Sequence, residues 1–295
     1  RDDLVTGVQT CALPILTEFN ERTGKPEILN QLVRKAQHDI LILTDADVTF
    51  EKQTLFELIK HFKNEAIGLV DSKIVNQKKQ GGISYQEETY LTQEFKIKHN
   101  EGKLWGMLMG PFGGCYAIRK SLFKDIPKNF LVDDFFECIQ VLLQGSQTIS
   151  EPKAIAFEKI NHSIADEFHR KSRIGQGNFQ NLMYFKSELL SFSKLSRIFI
   201  SHKLIRWITP LLLLVCFYSN LALFEEHILY QYTLAGQFVL YISPLINSLL
   251  NLIGIKNNLT QLLSHFLVMN IALLRGMLKS FGKSKSGIWN PTPRT

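Results

Sequence analysis

The sequence predicts an α/β domain followed by an α-helical membrane region, on three observations. The front half alternates helix-like and strand-like apolar patterns, as chains with strands joined by helices do. The last third holds three apolar stretches long enough for a bilayer. The charge divides along the same line. The chain has 295 residues with 34 Lys+Arg against 27 Asp+Glu, a net charge of +7. Residues 1–193 hold 24 basic and 25 acidic side chains, whereas residues 194–295 hold 10 and 2. The basic excess therefore sits where the chain is most apolar, and apolar runs edged by Lys and Arg mark membrane segments. This argues for membrane lipids as partners and against nucleic acid. A hydrophobic content of 45% excludes a disordered chain.

The elements come in order along the chain. Residues 5–15 read VTGVQTCALPI, with no hydrophobic period and no cap. The string resembles the translation of a sequencing-adapter oligonucleotide, so residues 1–15 are set apart from the fold. Cys11 goes with them, and Cys115, Cys138 and Cys216 form no CxxC pair. Reduced, cytosol-facing thiols fit better than disulfides or zinc. Ile28, Leu29, Leu32, Val33 and Ala36 give residues 27–37 one apolar helical face, with Pro26 suited to its first turn. Residues 40–43 are wholly apolar and predict a strand buried on both faces of a parallel sheet. Residues 50–62 are helical again, and 66–71 read as a strand. Residues 90–97 are helical, and Gly113-Gly114 makes a turn or a close backbone approach.

Residues 132–143 predict a helix that opens on Asp133-Asp134 and ends at Gly145. Residues 157–164 are strand-like, and the chain turns helical from Ala165. Residues 179–203 are amphipathic, with aromatics and Lys, and predict an interfacial segment. The apolar stretches are 204–224, 233–253 and 259–278, giving a membrane region over 204–280 and a basic tail over 281–295. Lys194, Arg197, Lys203 and Arg206 place the start of the first stretch on the cytoplasmic side, and Glu225-Glu226 fits the outside. Pro244, Asn247 and Asn251 mark the second stretch as interfacial or re-entrant. That would return Lys279, Lys283 and Lys285 to the cytoplasmic side.

Chemistry gathers at four places. Asp45-Ala46-Asp47 comes directly after the first strand, and ligands of open α/β sheets bind beyond the carboxyl ends of strands. Two carboxylates there suit a hard cation such as Mg²⁺ or Mn²⁺ shared with phosphate oxygens. An acidic loop capping the next helix is the other reading. Asp133-Asp134 can supply a general base, because neighbouring like charges raise a pKa, or can simply cap its helix. Arg170, Lys171 and Arg173 can bind phosphate, or form a solvated or membrane-facing basic patch. The Gly110–Cys115 segment can wall a sugar site or be a plain turn. His162 and His169 are candidate third metal ligands.

Taken in order, these motifs resemble the membrane-bound inverting glycosyltransferases of family 2, which include cellulose, hyaluronan and poly-N-acetylglucosamine synthases. Gly24-Lys25-Pro26-Glu27-Ile28-Leu29-Asn30 is similar to the family's Gly-Lys-x-x-x-Leu-Asn segment, and Asp45-Ala46-Asp47 to its Asp-x-Asp motif. Gly113-Gly114-Cys115-Tyr116 resembles the acceptor-side segment, and Asp133-Asp134 the acidic pair that contains the base. Arg170 to Gly177 resembles the basic segment after the base, and Trp289, Thr292 and Arg294 the closing Trp-x-x-Thr-x-Arg.

The resemblance implies a GT-A-like domain over residues 16–178, incomplete at its N-terminal end, because the family's nucleotide-gripping strands would lie upstream. It implies Asp134 as catalytic base with Asp133 supporting it. Lys25, Asp45, Asp47, Arg170 and Arg173 would bind the donor, and Asp47 with Asp45 would hold Mn²⁺ or Mg²⁺. Gly113, Gly114, Cys115 and Tyr116 would face the acceptor. The partners would be a nucleotide-sugar donor, UDP-linked by expectation, and a glycan or lipid-linked acceptor, at the cytoplasmic membrane in envelope or extracellular polysaccharide synthesis. Processive synthases carry Gln-x-x-Arg-Trp where this chain reads Arg170-Lys171-Ser172-Arg173-Ile174. Only the Arg is kept, which favours transfer of one or a few sugars. A non-catalytic membrane scaffold and a soluble nucleotidyltransferase are the alternatives.

Overall fold

The computed structural model describes residues 15–77, 84–159 and 164–282. His162, Trp289, Thr292 and Arg294, together with Lys283, Lys285 and the adapter-like string up to Pro14, lie outside the described residues.

Helix α1 (Lys25–Lys35) starts after Gly24, whose φ of 88° makes the turn, and has Pro26 in its first turn. Glu27 at one end and Arg34 and Lys35 at the other complement the helix dipole. Strand β1 (Ile40–Thr44) leads to the short β2 (Thr49–Phe50) and helix α2 (Thr54–Ile59). Then come β3 (Ile67–Gln77), α3 (Ser84–Trp105), β4 (Cys115–Arg119), α4 (Asp133–Leu143), β5 (Gln147–Lys159) and α5 (Ile164–Tyr184). The five strands form one sheet in the order β1-β4-β3-β5-β2. Only β3 and β5 pair in parallel; the other neighbours are antiparallel.

Two expectations change here. β1 is an edge strand, antiparallel to β4 and only half-buried, rather than a central strand of a parallel sheet. Strand β5 starts ten residues before the strand-like stretch read from the sequence. Its register shifts between Glu151 and Ile155, so Pro152 falls in a bulge, where a strand tolerates the missing N–H.

Alternation along β4 builds two cores. Cys115 and Ala117 pack with Leu58, Val70 and Ala156 on one face. Tyr116 and Ile118 pack with Leu69, Leu108, Cys138 and Val141 on the other, beneath α4. A third core joins α4 to the C-terminal helices: Phe135, Phe136 and Ile139 meet Phe179, Phe185, Phe199 and Trp207.

After α6 (Lys186–Leu189), α7 (Lys194–Phe199) runs through a π turn (Ile200–Leu204) into α8 (Ile205–Ala222). Phe185, Leu189, Leu195, Ile198 and Phe199 are buried against the domain, while Met183, Tyr184, Leu190 and Phe192 of the same stretch are exposed. Glu94 of α3 takes Lys203 at 2.6 Å, Arg206 at 2.7 Å and His202 at 3.2 Å, which fixes this junction. Helices α9 (Ile228–Leu252) and α10 (Asn258–Ser280) complete the chain. With α8 they are three helices long and apolar enough to cross a membrane, the first running from Lys194. Helix α9 passes Pro244 unbroken. Proline removes the donor that Leu240 O would receive, and Ser243 Oγ donates to that carbonyl at 2.7 Å instead.

Candidate active site

The site forms where β1, α1 and α4 end or begin. Asp45 lies one residue past β1, and its N–H donates to Gly114 O at 3.0 Å. Thr44 Oγ1 donates to the same carbonyl at 3.0 Å, so the end of β1 is stitched to the Gly113-Gly114 turn. Lys25 opens α1 and reaches both Asp45 Oδ1 at 3.1 Å and Asp133 Oδ2 at 3.2 Å. Burial pushes the pKa of the Lys25 ammonium down, but Asp133, Asp45 and Asp134 outweigh it and hold the pKa above the ordinary lysine value.

Asp133 and Asp134 occupy the first turn of α4, where exposed helix N–H groups favour negative charge. Asp133 is buried. The carboxyl of Asp134 accepts the Phe135 N–H at 2.7 Å. Burial, and then the neighbouring Asp133, push its pKa up to about 6. Gly113 has φ +81°, and a Cβ there would stand 2.5 Å from Asp134 Oδ2. The turn is therefore a backbone wall that only glycine can bring against this carboxylate.

The charge of Arg173 acts on the same cluster. Its pKa is lowered by burial and by Arg170, while Asp133, Asp134 and Asp45 act in the opposite sense. Arg170 pairs with Glu167 at 3.3 Å, and Lys171 pairs with the same Glu167 at 3.5 Å. The α5 helix is held to the approach of α4 by Asn181, which donates to Val132 O at 3.0 Å. Cys115 and Tyr116 belong to β4 and are wholly buried in the two sheet cores. Of the expected acceptor-side residues, the Gly113-Gly114 backbone is what meets the acidic cluster, and Cys115 and Tyr116 stand behind it.

Asp45 and Asp47 share the turn after β1, closed by Val48 N–H to Asp45 O at 3.3 Å. Among the described residues no group of three or more His, Cys, Asp and Glu is arranged to hold a metal, so His169 of α5 joins no such group. A pair of carboxylates is still the donor set that Mg²⁺ or Mn²⁺ takes when substrate phosphates complete its shell. The residue types present fit such an ion, which Asp47 and Asp45 would hold.

Two residues of the surroundings have no motif. Asp71 of β3 is fully buried and accepts the Phe112 N–H at 3.3 Å; burial pushes its pKa up to about 7. Lys98 of α3 is buried with Nζ 3.6 Å from the Phe112 ring centroid. Their one sequence signal is an acid inside the apolar run Gly68-Leu69-Val70-Asp71, where a charge is out of place.

Known proteins resemble this chain in sequence and in fold. Residues 21–150 match the model of Glycosyl transferase family 21. Two poly-beta-1,6-N-acetyl-D-glucosamine synthases of Staphylococcus epidermidis are each 22% identical over 236 residues, 78% of this chain. The match covers 57% of those relatives, so the chain spans little more than half their length. Among solved structures, the mannosyltransferase PcManGT of Pyrobaculum calidifontis, in complex with GDP-Man and Mn²⁺, superposes with a TM-score of 0.64 at 17% identity. That match covers 91% of this chain and 69% of the other. The likeness to glycosyltransferases drawn from the motifs is borne out, and so is the expected GT-A-like fold followed by long apolar helices.

Proposed function

We propose that this glycosyltransferase moves a sugar, with inversion, from a nucleotide-diphosphate donor to a hydroxyl of a glycan or lipid-linked acceptor at the cytoplasmic face of a membrane. One observation carries the reading: a carboxyl with a pKa near 6, Asp134, stands against the Gly113 wall, beside the charge-linked Asp45, Lys25 and Asp133. A base works best when its pKa lies near the operating pH. Asp134 takes the proton of the acceptor hydroxyl, the freed oxygen bonds to the anomeric carbon, and the bond to the nucleoside diphosphate breaks on the opposite face. Lys25 holds Asp133 in place and lowers the cost of the acidic cluster. Arg173 faces the departing phosphates from α5. A divalent ion on Asp47 and Asp45, when bound, supplies charge neutralisation to the diphosphate.

The three long apolar helices support attachment to a membrane, and the Lys and Arg residues around the start of α8 support a cytoplasmic domain. The poly-N-acetylglucosamine synthase relatives favour a polysaccharide pathway, and the missing Gln and Trp favour one or a few transfers.

The test is transfer from radiolabelled UDP-sugars and GDP-mannose by membranes carrying the full-length protein, with and without Mn²⁺. Asp47→Ala should weaken Mn²⁺-dependent binding of the nucleotide diphosphate about tenfold or more, the scale set by losing one ligand to the ion. An unchanged affinity overturns the metal role. Absence of transfer and of donor hydrolysis with every donor overturns the enzyme.

A further inference from the structure

Residues 108–114 lead from α3 to β4 and belong to no helix or strand, yet they carry the wall that faces Asp134. Most of the segment is buried, so its backbone polar groups need partners. Side chains supply several of them. Thr148 Oγ1 donates to Leu108 O at 3.0 Å, and Glu101 accepts the Met109 N–H at 3.2 Å. Just past the segment, Ser72 Oγ donates to Cys115 O at 2.7 Å. Between these points the nitrogen of Phe112 lies 3.3 Å from each carboxyl oxygen of Asp71. The ring of the same residue has Lys98 Nζ 3.6 Å from its centroid. Phe112 is thus gripped twice, by its main chain from β3 and by its ring from α3, and the next residue is Gly113.

Packing alone does not call for either charge. Asp71 is 0% exposed and Lys98 2%, and ionisable groups this deep are costly unless they are compensated. An apolar residue at 71 would continue the run Gly68-Leu69-Val70 but would take this acceptor away from the Phe112 N–H. The charge of Lys98 opposes the effect of burial on Asp71 and so favours the ionised carboxyl, which accepts more strongly than a neutral one. Its ammonium also attracts the face of the Phe112 ring. The same charge acts on Glu94, four residues earlier on α3, and on Asp134. The two groups therefore converge on one residue, and that residue adjoins the glycine on which the room for Asp134 depends.

We propose that Asp71 and Lys98 are positioning residues for the transfer: they clamp Phe112, one by its N–H and the other by its ring, and so hold the Gly113 wall against the Asp134 base. This rests on the reading of Asp134 as the base given above. Neither residue touches the reacting atoms. Their effect passes through the backbone from Phe112 to Gly113, where a Cβ would already stand 2.5 Å from Asp134 Oδ2, so a small shift of the wall displaces the carboxyl. The turn of Asp45 and Asp47 is fixed separately, by the bonds of Thr44 Oγ1 and the Asp45 N–H to Gly114 O. Loss of the clamp therefore weighs on turnover more than on donor binding.

The test is a mutant cycle in the full-length protein, read as kcat for transfer and as Mn²⁺-dependent binding of UDP and GDP. Asp71→Leu should lower kcat about tenfold or more, with nucleotide affinity falling less. Asp71→Asn, whose side-chain carbonyl still accepts an N–H, should keep most of what Asp71→Leu loses. Lys98→Met should lower kcat in the same direction, and Lys98→Arg should lower it less. Asp71→Leu combined with Gly113→Ala should lose little more than the worse of the two alone, because both act by displacing one wall. Losses that multiply in the double variant, an Asp71→Asn variant as impaired as Asp71→Leu, or nucleotide affinity that falls as far as turnover would each reduce the pair to a role in folding and overturn the proposal. Parent-like kcat in both Asp71→Leu and Lys98→Met overturns it too. Should Asp71→Leu fail to fold, the cycle of Lys98→Met with Gly113→Ala decides on the same terms. A parent that transfers no sugar overturns the proposed reaction, and this inference with it; a parent that transfers while the variants fail these expectations overturns this inference alone.

Discussion

A Cβ on Gly113 would stand 2.5 Å from Asp134 Oδ2, so the lack of a side chain at one residue is what makes room for the carboxylate of the other. The φ of +81° adds a second demand, because an L-residue in the left-handed region is strained by about 1–2 kcal/mol. Gly113→Ala should leave the protein folded and lower turnover about tenfold or more, since a small misplacement of a reacting group is costly. Donor affinity should fall less than turnover, because the added Cβ meets Asp134 directly and reaches the turn of Asp45 only through the neighbouring Gly114 carbonyl. Parallel measurement of kcat and of nucleotide-sugar binding checks this, and wild-type turnover would refute the contact.

The Asp134 carboxyl defines a pH dependence. It must be deprotonated to take a proton, and burial beside Asp133 puts its pKa at about 6. The rate should therefore climb as pH rises through about 6 and level off above it. Stability has the opposite sign: the native state holds this proton up to about pH 6, whereas an unfolded Asp releases it near 4, so this group's contribution falls as pH rises across that window. Asp134→Asn should abolish transfer, by about 10²-fold or more, with donor binding retained. A variant that still turns over with the same acid limb would remove Asp134 from the role of base.

Lys25 makes a separate prediction. Its ammonium is within ion-pair distance of both Asp45 and Asp133. Lys25→Met would leave those carboxylates facing each other without that cation. Lys25 also lowers the pKa of Asp134, so its loss should move the acid limb of the pH–rate profile upward. Stability should fall by about 1–3 kcal/mol, less than for a fully buried pair because the lysine side chain is 30% exposed. Lys25→Arg should restore part of both. A profile that stays in place would show that Lys25 does not act on Asp134.

How much of this was legible in the sequence depends on range. Asp45, Asp47, Asp133 and Asp134 could be read because each sits where a short pattern changes, at the end of an apolar strand or the start of an amphipathic helix. The edge position of β1 could not, because an apolar run such as Ile40-Leu41-Ile42-Leu43 looks the same at the edge of a sheet and in its middle. Pro152 hid the first half of β5, since the bulge that accommodates it depends on pairing with β3. Asp71 gave only the faint signal of an acid in an apolar run, and Lys98 none, because what makes them matter is their meeting around Phe112, brought together from β3 and α3. The continuity of α9 through Pro244 was equally hidden, because the compensating Ser243 hydroxyl acts only once the helix exists.

The junction between domain and helices gives the last prediction. Glu94 is buried and faces Lys203, Arg206 and His202, and these hold its carboxyl far below the usual range against the effect of burial. Removing one partner of such a cluster strands the others. Glu94→Gln should therefore cost about 3 kcal/mol, seen as a lower unfolding midpoint of the detergent-solubilised protein. Replacing Glu94 together with the closest of its three partners, Glu94→Leu with Lys203→Met, should recover part of that loss, because less uncompensated charge is left buried. The same helix carries Lys98 over Phe112, next to the Gly113 wall, so the single variant should also lower turnover by more than the double. A single variant as stable and as active as the parent would mean that the Glu94 cluster does not hold the helical region to the catalytic domain.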